Sequence, residues 1–259
     1  MEWYSGIKRE KDMRFLVDNK VMITALETIL MKGKYKKGDS TETRIISEYV
    51  YVDGNNNNIT LSNANHYCGC SLTINEPVPV AKKMAFIIEA QKAIKYLKTF
   101  NGEVSFTFGD SLLMRNGTRQ ATLPIVTDHP AVNMINRIME MELEQDMPTI
   151  GKTKLETKVV VNSLSLIEAV KGCSAVNTGA YKLNYDGESL KVSSSKRQEG
   201  YTSNVPMMTH EGEPSTLVIA QPFHKFINGI SILYMRDDSP LYIIGTDRKI
   251  VLAPSVELE

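Results

Sequence analysis

The sequence predicts an α+β protein of two topologically similar domains, each with two helices packed on antiparallel sheets. Three observations predict it. Short β-rich runs bounded by turn residues outnumber the helical stretches. Two amphipathic stretches in the first half have counterparts in the second. The order of elements repeats after roughly 130 residues, a period far longer than the ~20–50 residues of a solenoid unit and suited to a duplicated domain.

After an irregular, charged start, Phe15-Leu16-Val17 is a first strand. Asp18-Asn19 offers helix-cap chemistry, and Val21, Ala25, Leu26, Ile29 and Leu30 follow at helical spacing until Gly33. Lys32-Gly33-Lys34-Tyr35-Lys36-Lys37 reads either as a solvated loop or as a phosphate contact. From Arg44 to Ile74 the β signal dominates, with strands through Tyr49–Val52, Ile59–Leu61 and Tyr67–Ile74. Asp53-Gly54 and the Asn55–Asn58 run supply the turn of the first hairpin, since these residues tolerate positive φ. Met84–Phe100 is expected as a helix, with Ile87, Ala90, Ile94 and Leu97 on one face. Lys92, Lys95 and Lys98 project to another side, because i, i+3, i+6 drifts slowly round a helix. Such a stripe is usually a solvated face. Glu103–Phe108 and Leu112–Ile125 are strands, turning at Gly109-Asp110 and Asn116-Gly117.

Thr127–Lys154 changes character, with Pro130, Pro148, four methionines and the acidic set Glu140, Glu142, Glu144 and Asp146, and is read as a linker with room for a helical turn in Val132–Met141. Beyond it come a strand at Thr157–Val161, a short helix at Leu164–Val170, a hairpin at Tyr181–Val192 about Asp186-Gly187, and a strand at Tyr201–Met208. Leu217–Ala220, a helix from Pro222 to Ile230, and strands Ile232–Met235, Leu241–Ile244 and Lys249–Leu252 complete the chain. Ala253-Pro254 ends the last hairpin, since proline has no N–H for a ladder. A short, partly apolar tail remains, suited to holding a partner.

In the repeat, Asp53-Gly54 corresponds to Asp186-Gly187, the helix of Glu89–Lys98 to that of Gln221–Ile230, and Leu123-Pro124 to Ala253-Pro254. This divides the chain into domains 1–127 and 154–259 with a connector at 128–153. Such domains expose sheet edges, which soluble proteins cover or pair. Edge-to-edge closure into a ring is one solution, and it gathers the helix faces on one side.

Composition sets limits on function. Thirty basic residues balance thirty acidic ones, so a basic surface has to come from local placement. No apolar run suggests a signal peptide or membrane span, and an intracellular protein is expected. Three cysteines make no disulfide framework, and Cys68-Gly69-Cys70 reads as buried thiols at alternate strand positions rather than as a metal site. Gly151-Lys152-Thr153 resembles the end of a phosphate loop, but Asp146 stands where its first glycine belongs. His66, His129, His210 and His224 fall on different elements, so no catalytic set, metal or cofactor is expected.

The ending Leu252-Ala253-Pro254-Ser255-Val256-Glu257, preceded by Ser239-Pro240-Leu241, resembles the closing hairpin of the DNA sliding clamps of the proliferating cell nuclear antigen type, found in archaea and eukaryotes. Met139–Pro148 is similar to that family's connector, Thr157–Val161 to the strand opening its second domain, and Lys95-Tyr96-Leu97-Lys98 to its lysine-bearing helix. Leu112–Gly117 with Leu123-Pro124 resembles the bacterial clamp repeat. The family's clamps are acidic overall, whereas this chain is neutral, and the segment before Phe15 has no obvious counterpart.

The resemblance implies two clamp domains closing into a ring of three chains, a homotrimer, with helices lining a hole for double-stranded DNA held without base readout. It places Lys95 and Lys98 in the channel; Lys20, Lys92, Lys171 and Lys225 are added from helix face. Partners would be a DNA polymerase, a clamp loader and other replication and repair proteins carrying short hydrophobic peptide motifs. The matching peptide-pocket positions are Met147, Pro240, Leu252, Ala253 and Pro254. Such a protein is no enzyme and works where DNA is, in cytoplasm or nucleus. The competing readings are a clamp-fold accessory factor acting as a monomer, a mixed-ring subunit, or a transcription or checkpoint clamp, and an interaction scaffold without a DNA role.

Overall fold

The computed structural model describes residues 13–31, 48–55, 58–65, 67–74, 83–126, 135, 142–144 and 147–255. The basic run at 32–37, the helical turn expected within 132–141 apart from Ile135, which is helical and buried, and Val256-Glu257 lie outside the described residues.

Strand β1 (Met13–Asp18) runs into helix α1 (Asn19–Ile29), where the Asp18 side chain accepts from the Lys20 amide as an N-cap. Strands β2 (Tyr49–Asn55), β3 (Asn58–Ala64) and β4 (Cys68–Thr73) form a meander. The turn differs from expectation: Asp53 and Gly54 still pair with Thr60 and Ile59, and the chain reverses between Asn55 and Asn58. Met84–Glu89 is strand β5 rather than helix, and α2 spans only Ala90–Leu97. Phe86, Ile87 and Ile88 are buried on both faces of the sheet, so an unbroken apolar run satisfies a strand there. Strands β6 (Glu103–Phe108), β7 (Ser111–Asn116) and β8 (Arg119–Pro124) follow as expected.

Within the expected linker, β9 (Glu142–Glu144), β10 (Met147–Ile150) and β11 (Thr153–Lys154) form a small sheet of their own. Strand β12 (Thr157–Asn162) then leads into α3 (Ser163–Val176), which is capped by Asn162 and runs six residues past the expected end. Strands β13 (Tyr181–Tyr185) and β14 (Leu190–Lys196) make the Asp186-Gly187 hairpin. Gly187 supplies a φ of 97° there, and Asp186 accepts from the Glu188 and Ser189 amides. The expected strand Tyr201–Met208 is two, β15 (Glu199–Val205) and β16 (Met207–Gly212), broken at Pro206. After β17 (Ser215–Ile219), the expected helix Pro222–Ile230 shrinks to a 3-10 turn, His224–Phe226. Phe223, Phe226 and Ile227 anchor it in the core, and Gly229, at φ 59°, redirects the chain into β18 (Ile230–Met235). Strands β19 (Leu241–Ile244) and β20 (Arg248–Leu252) form the closing hairpin.

All named pairings are antiparallel. Two four-stranded sheets, β1-β6-β7-β8 and β15-β14-β13-β17, flank a nine-stranded sheet ordered β16-β12-β18-β19-β20-β4-β3-β2-β5. Its centre is the seam of β20 with β4, from Arg248 opposite Leu72 to Leu252 opposite Cys68, which joins the second half to the first. Cys68 and Cys70 sit on β4 as buried, unpaired thiols. One core runs through both halves, and Phe15 stacks on Phe106 with ring centroids 4.6 Å apart.

Candidate nucleic-acid interface and partner pocket

The helical elements form one row: α2 lies beside α1, α1 beside the 3-10 turn, and the turn beside α3. Polar side chains fix the order. Asn19, buried at the start of α1, donates from Nδ2 to the Phe100 carbonyl at 2.8 Å, meeting a backbone group just beyond the end of α2. At the other end of α1, Lys225 Nζ donates to the Leu30 carbonyl at 3.1 Å and lies 4.4 Å from the centre of the Phe226 ring. The cation of one half therefore closes a helix terminus of the other.

Every element of the row carries an expected lysine. Lys20 is exposed in the first turn of α1, Lys92 and Lys95 on α2, Lys98 just after it, and Lys171 on α3. On α3 the exposed positions Leu164, Glu168, Lys171 and Ala175 form one stripe. The lysines are not equivalent. Lys98 pairs with Glu27 of α1 at 2.8 Å, so the outer faces of α1 and α2 adjoin, and Lys92 pairs with Glu89 at 2.6 Å. Glu89 holds the Lys92 ammonium above its ordinary pKa. Lys20, Lys95 and Lys171 have no ion pair among the described residues. Glu27 was not legible from the sequence, because its partner lies on a different helix.

The row has one histidine, His224 in the 3-10 turn. Burial, reinforced by Lys171 and Lys225, lowers its pKa and keeps it neutral.

The expected peptide-pocket residues fall in two neighbouring places. Met147, on β10, packs half-buried with Ile150 against Leu155, Tyr234, Tyr242 and Val251 on the sheet below. Tyr234 and Tyr242 stack with centroids 5.9 Å apart, and burial, with Tyr234 beside it, pushes the Tyr242 hydroxyl up to about 12. These tyrosines escaped the sequence reading; their signal was the alternation along β18 and β19. Pro240 is half-buried just before β19, and Leu252 is buried at the end of β20.

Ala253 and Pro254 continue from β20, but the tail is not free to add hydrogen bonds to a partner at every position. The Ala253 amide donates to the Tyr67 carbonyl at 2.8 Å, and the Ser255 amide to the Val218 carbonyl at 2.7 Å. What remains for a ligand is the exposed Pro254 ring and the half-buried Ala253.

Solved structures that superpose on this chain include sliding clamps. A. fulgidus PCNA with the C-terminal region of FEN-1 bound superposes with a TM-score of 0.68 at 11% identity over 95% of this chain and 100% of that one. The DNA polymerase III beta subunit of Thermotoga maritima matches with a TM-score of 0.72 at 15% identity, over 94% of this chain and 65% of that one. The Helicobacter pylori beta clamp bound to a DNA ligase peptide gives 0.72 at 12% identity, over 95% and 67%. The chain thus spans about two thirds of the length of the T. maritima and H. pylori proteins and the whole of the A. fulgidus one. No family model and no curated protein matches the sequence. At these identities the likeness establishes the fold: this chain has the sliding-clamp fold.

Proposed function

We propose that this protein is a DNA sliding clamp, a polymerase processivity factor that closes as a homotrimer around duplex DNA and tethers replication and repair proteins. The observation that carries the reading is the single row α2, α1, 3-10 turn and α3, whose three helices bear the exposed lysines Lys20, Lys95 and Lys171. In this reading residues 1–127 and 154–259 are the two clamp domains, 128–153 is the connector, and no step is catalytic.

Two sheet edges support closure. Strand β8 ends the first four-stranded sheet and β15 ends the second, each with a neighbour on one side only. Pairing β8 of one copy with β15 of the next satisfies both edges and, repeated three times, closes a ring. The row of helices then faces the hole.

The chemistry of the row suits sliding. Lys20, Lys95 and Lys171 offer phosphate contacts, while Glu27 and Glu89 compete for Lys98 and Lys92. Contacts are few and carry no base readout, so the complex is held by topology and moves along the helix. Partners dock on the opposite surface, with apolar side chains on Met147 and Pro240 beside Ala253 and Pro254.

The test combines solution mass with retention on DNA. A trimeric mass, and a protein that stays on closed circular DNA but runs off when the circle is cut, are the expected results. A monomer at micromolar concentration, or equal retention on both DNAs, refutes the ring. For the pocket, Met147→Glu is expected to abolish binding of a partner's hydrophobic peptide while leaving the mass unchanged.

A further inference from the structure

The outer face of the sheet β1-β6-β7-β8, turned away from the helices, carries a cavity of about 600 Å³ lined by Arg14, Leu16, Glu103, Ser105, Thr107, Leu113 and Arg115 together with Asn116 and Gly117. Alternation along the strands builds it. Phe15, Val17, Val104, Phe106, Leu112 and Met114 point into the core, so the residues between them face outward.

Across the strands these residues form two rows. Arg14 pairs with Thr107 and Thr107 with Leu113; Leu16 pairs with Ser105 and Ser105 with Arg115. The arginines therefore stand on one diagonal and the half-buried leucines on the other, with Ser105 and Thr107 between them. Arg14 Nε donates to Ser105 Oγ at 2.8 Å, which aims its guanidinium toward the strand that bears Arg115. The two arginine Cα atoms are about 12 Å apart on ideal strand spacings, so both long side chains reach one acidic group between them. Neither guanidinium has an ion pair among the described residues.

We propose that this face binds an extended acidic peptide of a partner protein, one carboxylate clamped between Arg14 and Arg115 and flanking apolar side chains seated on Leu16 and Leu113. Charge complementarity selects the occupant. Two forked guanidiniums and two hydroxyls suit a carboxylate. A nucleic-acid strand needs a continuing track of cations, and the next row is Asp18 opposite Glu103, which repels it. On an extended peptide lying on the sheet, side chains two residues apart share a face, so an acidic residue with apolar residues two positions before and after it presents all three to the arginines and leucines. The site is separate from the Met147 pocket and does not depend on the DNA reading.

The test uses a rhodamine-labelled peptide with one glutamate, leucines two positions before and after it and serines elsewhere, titrated with the full chain by fluorescence anisotropy. Saturable binding is expected, with a loss of at least about tenfold for Arg14→Ala combined with Arg115→Ala, as for losing one hydrogen bond to a charged group. Glu103→Gln removes a competing carboxylate without touching the arginines and is expected to tighten binding. A peptide with lysine in place of glutamate is expected not to bind. No binding by the unaltered protein, unchanged affinity in the double variant, or weaker binding in Glu103→Gln overturns the proposal. So does displacement by a single-stranded oligonucleotide whose own binding is lost in the double variant, which assigns the face to nucleic acid.

Discussion

Replacing Lys225 separates a lysine that holds the molecule together from one that the clamp reading assigns to DNA. In Lys225→Met the apolar stem remains while the ammonium, with its 3.1 Å bond to the Leu30 carbonyl and its 4.4 Å approach to the Phe226 ring, is lost. A hydrogen bond from a charged donor is worth about 1.5–3 kcal/mol when buried and less at a half-exposed helix end, and the ring contact adds about 0.5–1 kcal/mol. Together they predict a loss of about 1–2 kcal/mol, which lowers the melting temperature by roughly 2–8 °C for a chain of this size. Lys95→Ala removes an exposed ammonium without an ion pair among the described residues, and its melting temperature is expected to stay within error. In the clamp reading its effect belongs in the salt dependence of duplex binding, where each phosphate contact contributes a slope of about 0.9 in log affinity against log salt. Thermal denaturation and anisotropy at several salt concentrations measure both quantities on the same samples. If Lys225→Met melts like the parent and flattens the salt slope as Lys95→Ala does, the division of labour is wrong.

The remaining predictions concern the supporting structure. A Cβ on Gly172 of α3 would run into the exposed Tyr201 ring on the edge strand β15, so Gly172→Ala is expected to push that ring aside at a net cost below about 1 kcal/mol, since alanine favours the helix, and, in the ring reading, to weaken trimerisation at low concentration. Tyr201→Ala in the same chain removes the clash, and a double variant no better than Gly172→Ala alone contradicts this. Burial, with Lys171 and Lys225, lowers the His224 pKa, so below an unfolded value near 6.5 the unfolded state takes up more protons. The melting temperature is therefore expected to fall from pH 7 to pH 5.5, and more shallowly in His224→Gln. Burial raises the Cys68 thiol and pushes Cys70 up to about 12, so native protein is expected to resist iodoacetamide at pH 8 and to label at both after denaturation.

What the sequence showed depended on whether local chemistry decided the structure. The Asp186-Gly187 hairpin was legible because Asp186 accepts two amides of its own turn and Gly187 takes the positive φ. The first helix was legible because Asp18 caps it and its apolar face repeats at helical spacing. Of the expected first turn only the asparagine run held: strand pairing runs through Asp53-Gly54, and the chain reverses between Asn55 and Asn58. Met84–Glu89 misled for another reason: a strand buried on both faces shows no alternation, so its apolar run merged with the helix that follows. At Pro222–Ile230 the apolar spacing was correct, but Phe223, Phe226 and Ile227 anchor one turn and Gly229 ends it. In the candidate interface the lysines could be named from helix faces, whereas the pairing of Lys98 with Glu27 and of Lys225 with Leu30 depends on helices brought together only by folding.

The seam between β4 and β20 also sets a timetable for synthesis. Residues 68–73 leave the ribosome roughly 180 residues ahead of their neighbour at 248–252, a wait on the order of 10–40 s at ~5–20 residues per second. During that wait β4 is an open edge with two thiols on one face, the kind of surface to which chaperones bind and at which nascent chains aggregate. A chain cut short before residue 248 leaves the nine-stranded sheet split at its centre, with β4 and β19 as two unpaired edges.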